Sequence, residues 1–338
     1  MLKKGLSVAF ALMTLLFLVV ACNNQEPKDR NTNSAPTSEK NGQDMKEEPE
    51  EEDVTLPETT LHKTDQGESV QSLQEILNKV GYSLTVDGEF NAMTTWAITD
   101  FQMQQEGMDV SGIYNKATKE ALRKSLENES SIEPASGLAK PDNDKSTVSN
   151  PHEILALVNK EHALPADFVP RNLVKPDVRF PFTGSVPKMQ MRQVAADALE
   201  EMFQAGDNAG IDLFAQSGYR SYDRQDAIFA SNVAQHGEKV ANTFSARPGE
   251  SEHQSGLTMD VTSPDIGYEL TVEFGETDEG KWVQQHAAEY GFIIRYPKGK
   301  KKITKYQYEP WHLRYVGQDA AKEIMQKGLT LEEYLGVK

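Results

Sequence analysis

Cysteine is almost missing from this chain: Cys22 is the single one in 338 residues. No intramolecular disulfide can form, and the later part of the chain has no thiolate with which to close a structural zinc site. Basic residues are also in deficit, with 35 Lys and Arg against 52 Asp and Glu and a formal net charge of -17. Phosphate backbones bind clustered cations, so nucleic acid is excluded as a partner. Part of the acid excess is local, in the run KEEPEEED at 46–53, which reads as solvated chain and not as a site. The apolar stretch from Val8 to Ala21, broken only by Thr14, is shorter than the about 20 residues a spanning helix needs.

That stretch follows Lys3 and Lys4 and ends in VVAC, the order of parts found in a secretory signal. It resembles a bacterial lipoprotein signal, which implies removal of residues 1–21 and lipidation of Cys22. The expectation is a protein outside the cytoplasm, tied to the membrane by acyl chains, of which more than one is needed for stable anchoring. Residues 22–60 are acidic and polar with scarcely a large apolar side chain, too little to offset the entropy of ordering, and read as a tether. A second polar stretch, 127–150, reads as a linker. Two folded units are expected, 61–126 and 151–338.

The first unit contains an internal repeat. VDGEFNAMTTWAITDFQ and DVSGIYNKATKEAL align at an offset of 24, pairing Gly88 with Gly112, Phe90 with Tyr114, Asn91 with Asn115 and Thr94 with Thr118. Each copy has a glycine turn, an aromatic plug and a threonine placed to cap a following helix. Ahead of them, Val70, Leu73, Ile76, Leu77 and Val80 recur at helical spacing and Gly81 marks the stop. Three short helices around a small core follow. The pattern resembles the peptidoglycan-binding module of cell-wall hydrolases, and so implies peptidoglycan glycan as a partner. It departs where that family commonly has glycine and proline after the aromatic residue; Asn91-Ala92 and Asn115-Lys116 stand there instead.

In the second unit, HEILALVNKEHALP reads as a short amphipathic helix, and Met191 to Met202 as a longer one with an apolar face. IDLFAQS, LTMDV, GFIIRYP and WHLRYVG are short β-type runs. Helices and short strands without a βαβ rhythm predict an α+β domain with a small antiparallel sheet.

Chemistry concentrates in SEHQSGLTMDV (251–261) and YEPWHLRYVG (308–317). His253, Asp260 and His312 are candidate ligands for a tetrahedral zinc that keeps one position for water. Glu309 supplies a carboxylate for general acid/base work, and Arg220, after the glycine of SGYRS, a planar cation suited to a carboxylate or oxyanion. In a regular strand Glu309 and His312 would face opposite ways, so a shared site needs a bend in EPWH that the sequence does not supply.

SGYRSYDRQ, ARPGESEHQSGLTMDV and EPWHLRYVG, in that order, resemble the signature of VanY-type zinc D-alanyl-D-alanine carboxypeptidases, with L,D-carboxypeptidase relatives, over most of 151–338. The resemblance implies that His253, Asp260 and His312 hold Zn2+, that Glu309 is the catalytic acid/base, and that Arg220, Gln225 and Ser251 contact the substrate. Trp311 shapes the pocket or packs beneath it. The expected activity is removal of the terminal D-alanine from peptidoglycan stem peptides by a membrane-tethered monomer. Trimming of a tetrapeptide by L,D-carboxypeptidase action, cutting of cross-links, and a non-catalytic wall-binding lipoprotein remain the alternatives.

Overall fold

The structure is a computed structural model that describes residues 55–138 and 147–337. The expected signal segment, Cys22 and most of the tether lie outside the described residues. Among those described, no helix is long and apolar enough to cross a membrane.

The chain opens on three helices, α1 (Glu68–Lys79), α2 (Ala92–Met103) and α3 (Lys116–Glu127). Val70, Leu73, Ile76 and Leu77 are buried on α1, and the repeat's aromatic plugs, Phe90 and Tyr114, fill the centre of the cluster. The helix caps are the asparagines and not the threonines. Asn91 accepts from the backbone N–H groups of Met93 and Thr94, and Asn115 from that of Thr118, as the short amide side chain favours. The threonines point inward, where Thr94 Oγ1 accepts from Gln74 at 3.1 Å and Thr118 Oγ1 from Gln102 at 2.9 Å. Each glutamine also takes the N–H of the repeat glycine, Gly88 or Gly112, at 2.9 Å. The chain after α3 stays on this cluster as far as Leu138, because the Asp100 carboxylate accepts the N–H groups of Ala135, Gly137 and Leu138 at 3.1, 2.8 and 2.7 Å.

The segment HEILALV is not a helix. Ile154 to Val158 are all buried, so no face is left for water and the segment runs as an irregular strap. Its backbone groups pair sideways: Ile154 N–H donates to Ser111 O at 3.0 Å, while the carbonyls of Ile154 and Ala156 each accept from Arg314 at 2.8 Å. A helix would have used those groups internally.

Next come β1 (Leu173–Val174), β2 (Met191–Arg192) and α4 (Gln193–Asn208), with β1 and β2 antiparallel. The chain continues through β3 (Phe214–Ser217), α5 (Tyr222–His236), α6 (Glu238–Phe244), β4 (Thr258–Thr262), α7 (Asp278–His286), β5 (Phe292–Tyr296), α8 (Lys301–Thr304), β6 (Glu309–Tyr315), α9 (Gln318–Lys327) and α10 (Leu331–Tyr334). The four longer strands form one antiparallel sheet in the order β3-β4-β6-β5. The expected α+β architecture is borne out. Leu199 and Met202 of α4 pack with Met259 and Val261 of β4 and Leu313 of β6, each such side chain contributing about 1.5–3 kcal/mol. Every residue of β4 is buried, which holds its register against β3 and β6. The polar side chains on the opposite face of that rigid core make the site.

Candidate metal centre and cleft

His253 sits in a 3-10 turn, Glu252–Ser255, closed by Gly256 at φ 69. The left-handed backbone needs glycine, and a Cβ there would meet Arg192, Leu173 and Pro170 at 3.1 Å. The turn swings the chain into β4, whose Asp260 lies directly across from His312 on β6. One donor atom from each of His253, Asp260 and His312 lies within 4.8 Å of the others. His253 Nε2 is 3.4 Å from Asp260 Oδ2 and His312 Nδ1 is 3.1 Å from Asp260 Oδ1. Donors about 2.1 Å from a tetrahedral zinc stand roughly 3.4 Å apart, so the spacing fits that ion.

The remaining polar atoms are arranged to match. His253 Nδ1 is 2.8 Å from Gly218 O, to which it donates, leaving the Nε2 lone pair turned toward Asp260. His312 Nε2 is 3.4 Å from Glu252 Oε2, leaving Nδ1 turned inward. Asp260 Oδ1 is buried without a hydrogen-bond partner among the described residues, although His312 Nδ1 is close: the two atoms converge without hydrogen-bond alignment. Outer acceptors on both imidazoles and an orphaned buried carboxylate oxygen are what a cation in the gap requires. Burial and the nearby Arg220 charge press His253 down to about 3, so it is neutral. Burial also presses on His312, but the negative charges of Asp260 and Glu252 beside it outweigh that and lift it to about 9. The proton it carries is the one a metal would displace.

Glu309 comes within reach through a bulge. Ile294 pairs with Leu313 while Tyr296 pairs with Glu309, so the span from Ile294 to Tyr296 on β5 faces the longer span from Glu309 to Leu313 on β6. The surplus is taken up around Pro310, which has no N–H to give a ladder. This is the bend that the sequence left open: it brings Glu309 Oε2 to 3.9 Å from His312 Nδ1. Burial pushes the Glu309 carboxyl up to about 7, against the pull of His312.

Arg220 follows β3, where the chain can turn only because Gly218 has no Cβ; one there would lie 2.3 Å from Gln190 O. Its Nη1 donates to Gln225 Oε1 at 2.9 Å, and Gln225 Nε2 donates in turn to Ala246 O at 2.6 Å. Gln225 thus aims the guanidinium, which faces the charges of Asp260 and Glu309. Arg220, Gln225, Ser251, His253, Asp260, Glu309 and His312 all line one cleft of about 270 Å³, with Trp311 beside them.

Sequence reasoning missed the support beneath the cleft. Glu252 Oε1 accepts from Arg295 Nε and Arg314 Nη1, both at 2.7 Å, and all three side chains are 0% exposed. Arg295 reaches on to Glu332 of α10 at 2.7 and 2.9 Å. The two arginines hold Glu252 well below the usual carboxylate range despite its burial. Tyr296 was missed as well; its ring lies 4.8 Å from that of His312 and stacks on Tyr306 at 4.5 Å. The signal was present: Arg295 and Arg314 each stand inside an apolar β-run, and a buried cation needs an anion.

Comparison with known proteins agrees with this geometry. Residues 188–318 match the VanY family, described as D-alanyl-D-alanine carboxypeptidase, and residues 66–122 match a putative peptidoglycan binding domain. A putative carboxypeptidase of Bacillus subtilis, YodJ, is 57% identical over 188 residues, which cover 56% of this chain and 69% of that protein. The bifunctional D-Ala-D-Ala dipeptidase and D-Ala-D-Ala carboxypeptidase VanXYC of Enterococcus gallinarum is 33% identical over 192 residues, 53% of this chain and 92% of its own. Among solved structures, the LdcB LD-carboxypeptidase is 54% identical, with a TM-score of 0.56 over 61% of this chain and 94% of that one. The chain belongs to the VanY family of D-alanyl-D-alanine carboxypeptidases and carries a peptidoglycan-binding domain ahead of its peptidase domain.

Proposed function

We propose that this chain is a zinc carboxypeptidase that removes the terminal D-alanine from peptidoglycan stem peptides. The observation that carries the reading is the convergence of His253, Asp260 and His312 within 4.8 Å, with Glu309 3.9 Å from His312. His253, Asp260 and His312 would hold the zinc. Bound there, the ion supplies Lewis acidity toward the scissile carbonyl and a water of lowered pKa. Glu309 takes the proton of the attacking water and passes it to the departing amine, a double duty suited to a carboxyl poised at about 7. Arg220, aimed by Gln225, pairs with the substrate's terminal carboxylate, and Ser251 borders the same wall of the cleft.

The binding domain and the peptidase work on the same polymer, so the activity belongs outside the cytoplasm. Residues 66–122 keep the enzyme on peptidoglycan and raise the local concentration of stems. Lipidation at Cys22 with a tether over 22–60 and a single-chain unit complete the proposal; of the linker expected over 127–150, the part up to Leu138 is packed on the first helical cluster instead.

A second reading, L,D-carboxypeptidase action on a tetrapeptide, is favoured by the 54% identity to the LdcB LD-carboxypeptidase. Purified protein is incubated separately with stem pentapeptide and tetrapeptide, and the products are weighed by mass spectrometry. Loss of one alanine from the pentapeptide supports the first reading. Loss from the tetrapeptide alone replaces it with the second.

A further inference from the structure

The peptidoglycan-binding domain is seated directly on the peptidase. Ile113, next to the repeat glycine Gly112, packs against the core cluster that holds Met259 of β4 and Leu313 of β6. Thr99 Oγ1 on α2 accepts from Asn150 Nδ2 at 2.9 Å, and Lys63 Nζ lies 2.9 Å from Glu153 Oε1, so the strap is pinned to the helical cluster as well. At the middle of this seam stands Arg192 of β2, 2% exposed. A buried guanidinium is costly unless it is paired, and the anion that offsets this one, Asp109, belongs to the binding domain.

Two lines of contact run from the seam to the zinc ligands. In the first, Arg192 Nη2 donates to the carbonyl of Val110 and Nη1 to that of His152 at 2.9 Å. Its backbone N–H donates at 2.7 Å to Gly256 O, on the glycine that closes the His253 turn. Its stem lies against the same glycine, where an added Cβ would meet Arg192 Cγ at 3.1 Å. In the second line, Ile154 N–H donates to Ser111 O at 3.0 Å and Ile154 O accepts from Arg314 at 2.8 Å. Arg314 donates to Glu252 at 2.7 Å, and Glu252 stands 3.4 Å from His312 Nε2. Every residue on both lines is buried. Close packing leaves no solvent to absorb a displacement at either end.

We propose that Arg192 is a positioning residue for the zinc site, and that the docked binding domain is part of the support that holds the ligands. The inference rests on the zinc reading above. Arg192 grips Val110 of one domain and the His253 turn of the other, so loosening the seam lets that turn drift from Asp260 and His312. The binding domain then has a second task besides holding polymer: it completes the frame of the metal centre.

The test is the zinc dissociation constant of the full chain by chelator competition, for the wild type, Arg192→Met, Arg192→Lys and Ile113→Ala, each checked for native circular dichroism. Methionine keeps the apolar stem and loses both the fork and the charge. Lysine keeps the charge but replaces the planar fork with one ammonium. Ile113→Ala loosens the seam from the binding-domain side without touching a polar atom. By charge alone, removing a buried cation tightens a nearby cation site, so weaker binding in Arg192→Met reports displaced ligands. Zinc should bind about tenfold more weakly to Arg192→Met and about threefold more weakly to Arg192→Lys and Ile113→Ala, the scale of residues that act through packed neighbours. Unchanged affinity in Arg192→Lys or in Ile113→Ala, or tighter binding in Arg192→Met, overturns the proposal whatever stability is lost, and the zinc carboxypeptidase reading stands. If Arg192→Met does not fold, the other two variants decide. Absence of zinc binding by the wild type removes the metal site itself and the positioning role with it.

Discussion

Replacing Glu252 with glutamine isolates the support of the metal site from the site itself. The substitution keeps shape and volume but removes a charge that three groups share. Arg295 retains Glu332, whereas Arg314 loses its one carboxylate and is left with neutral acceptors, the carbonyls of Ile154, Ala156 and Tyr315 among them. With Glu252, Arg295 and Arg314 at 0% exposure, water cannot replace the lost anion, and breaking one member of such a buried set costs about 3–5 kcal/mol. The amide also reverses a hydrogen bond. Its oxygen stays with the arginines, so its NH2 turns to His312 Nε2, which must then accept. In the neutral ring that zinc binding requires, the remaining proton then sits on Nδ1 and occupies the lone pair that faces Asp260. Zinc affinity should therefore fall about 10- to 100-fold, the usual cost of losing an outer partner of a metal-bound histidine. Denaturant unfolding of the metal-free protein reads the first quantity, and chelator competition on the folded variant reads the second. A loss of stability below about 1 kcal/mol together with unchanged zinc affinity would refute the reasoning.

Three further outcomes follow from the same geometry. Glu309→Gln should lower kcat by about 10²–10⁴ while elemental analysis finds zinc content unchanged; normal turnover would remove Glu309 from its role. Arg220→Lys keeps the charge but loses the planar fork, and kcat/KM on the pentapeptide should drop about 10- to 100-fold, mainly through KM, the scale of a charged hydrogen bond. Zinc affinity should fall with pH below about 9, roughly tenfold per unit for one displaced proton, because metal-free His312 is protonated up to about 9 while His253, at about 3, is already neutral. A competition titration between pH 6 and 9 checks the slope, and a flat profile contradicts it.

The ligands were legible in the sequence because their chemistry is local: a histidine before a glycine turn, an aspartate in a short strand, a histidine beyond a proline. The three helices of the first unit were legible from spacing on α1 and from the repeat, although the caps fell to Asn91 and Asn115 because the buried Gln74 and Gln102 claim the threonines. What escaped depends on partners distant in the chain. Glu309 and His312 share a site through the pairing of β6 with β5, which nothing within EPWH records. The strap at Ile154–Val158 imitates a helix in its hydrophobic pattern, but burial on every side and the demand of Arg314 for carbonyls decide its backbone. Glu252 passed unnoticed beside His253 because its meaning lies in Arg295 and Arg314, some 40 to 60 residues on.

Zinc titrated into metal-free protein, with D-alanine release from the stem pentapeptide followed at each addition, tests the central claim most directly. Release should rise in proportion to added zinc and level off at one ion per chain, with Asp260→Ala showing no rise at the same concentrations. Full release before any zinc is added, or none at any level of zinc, would contradict the account.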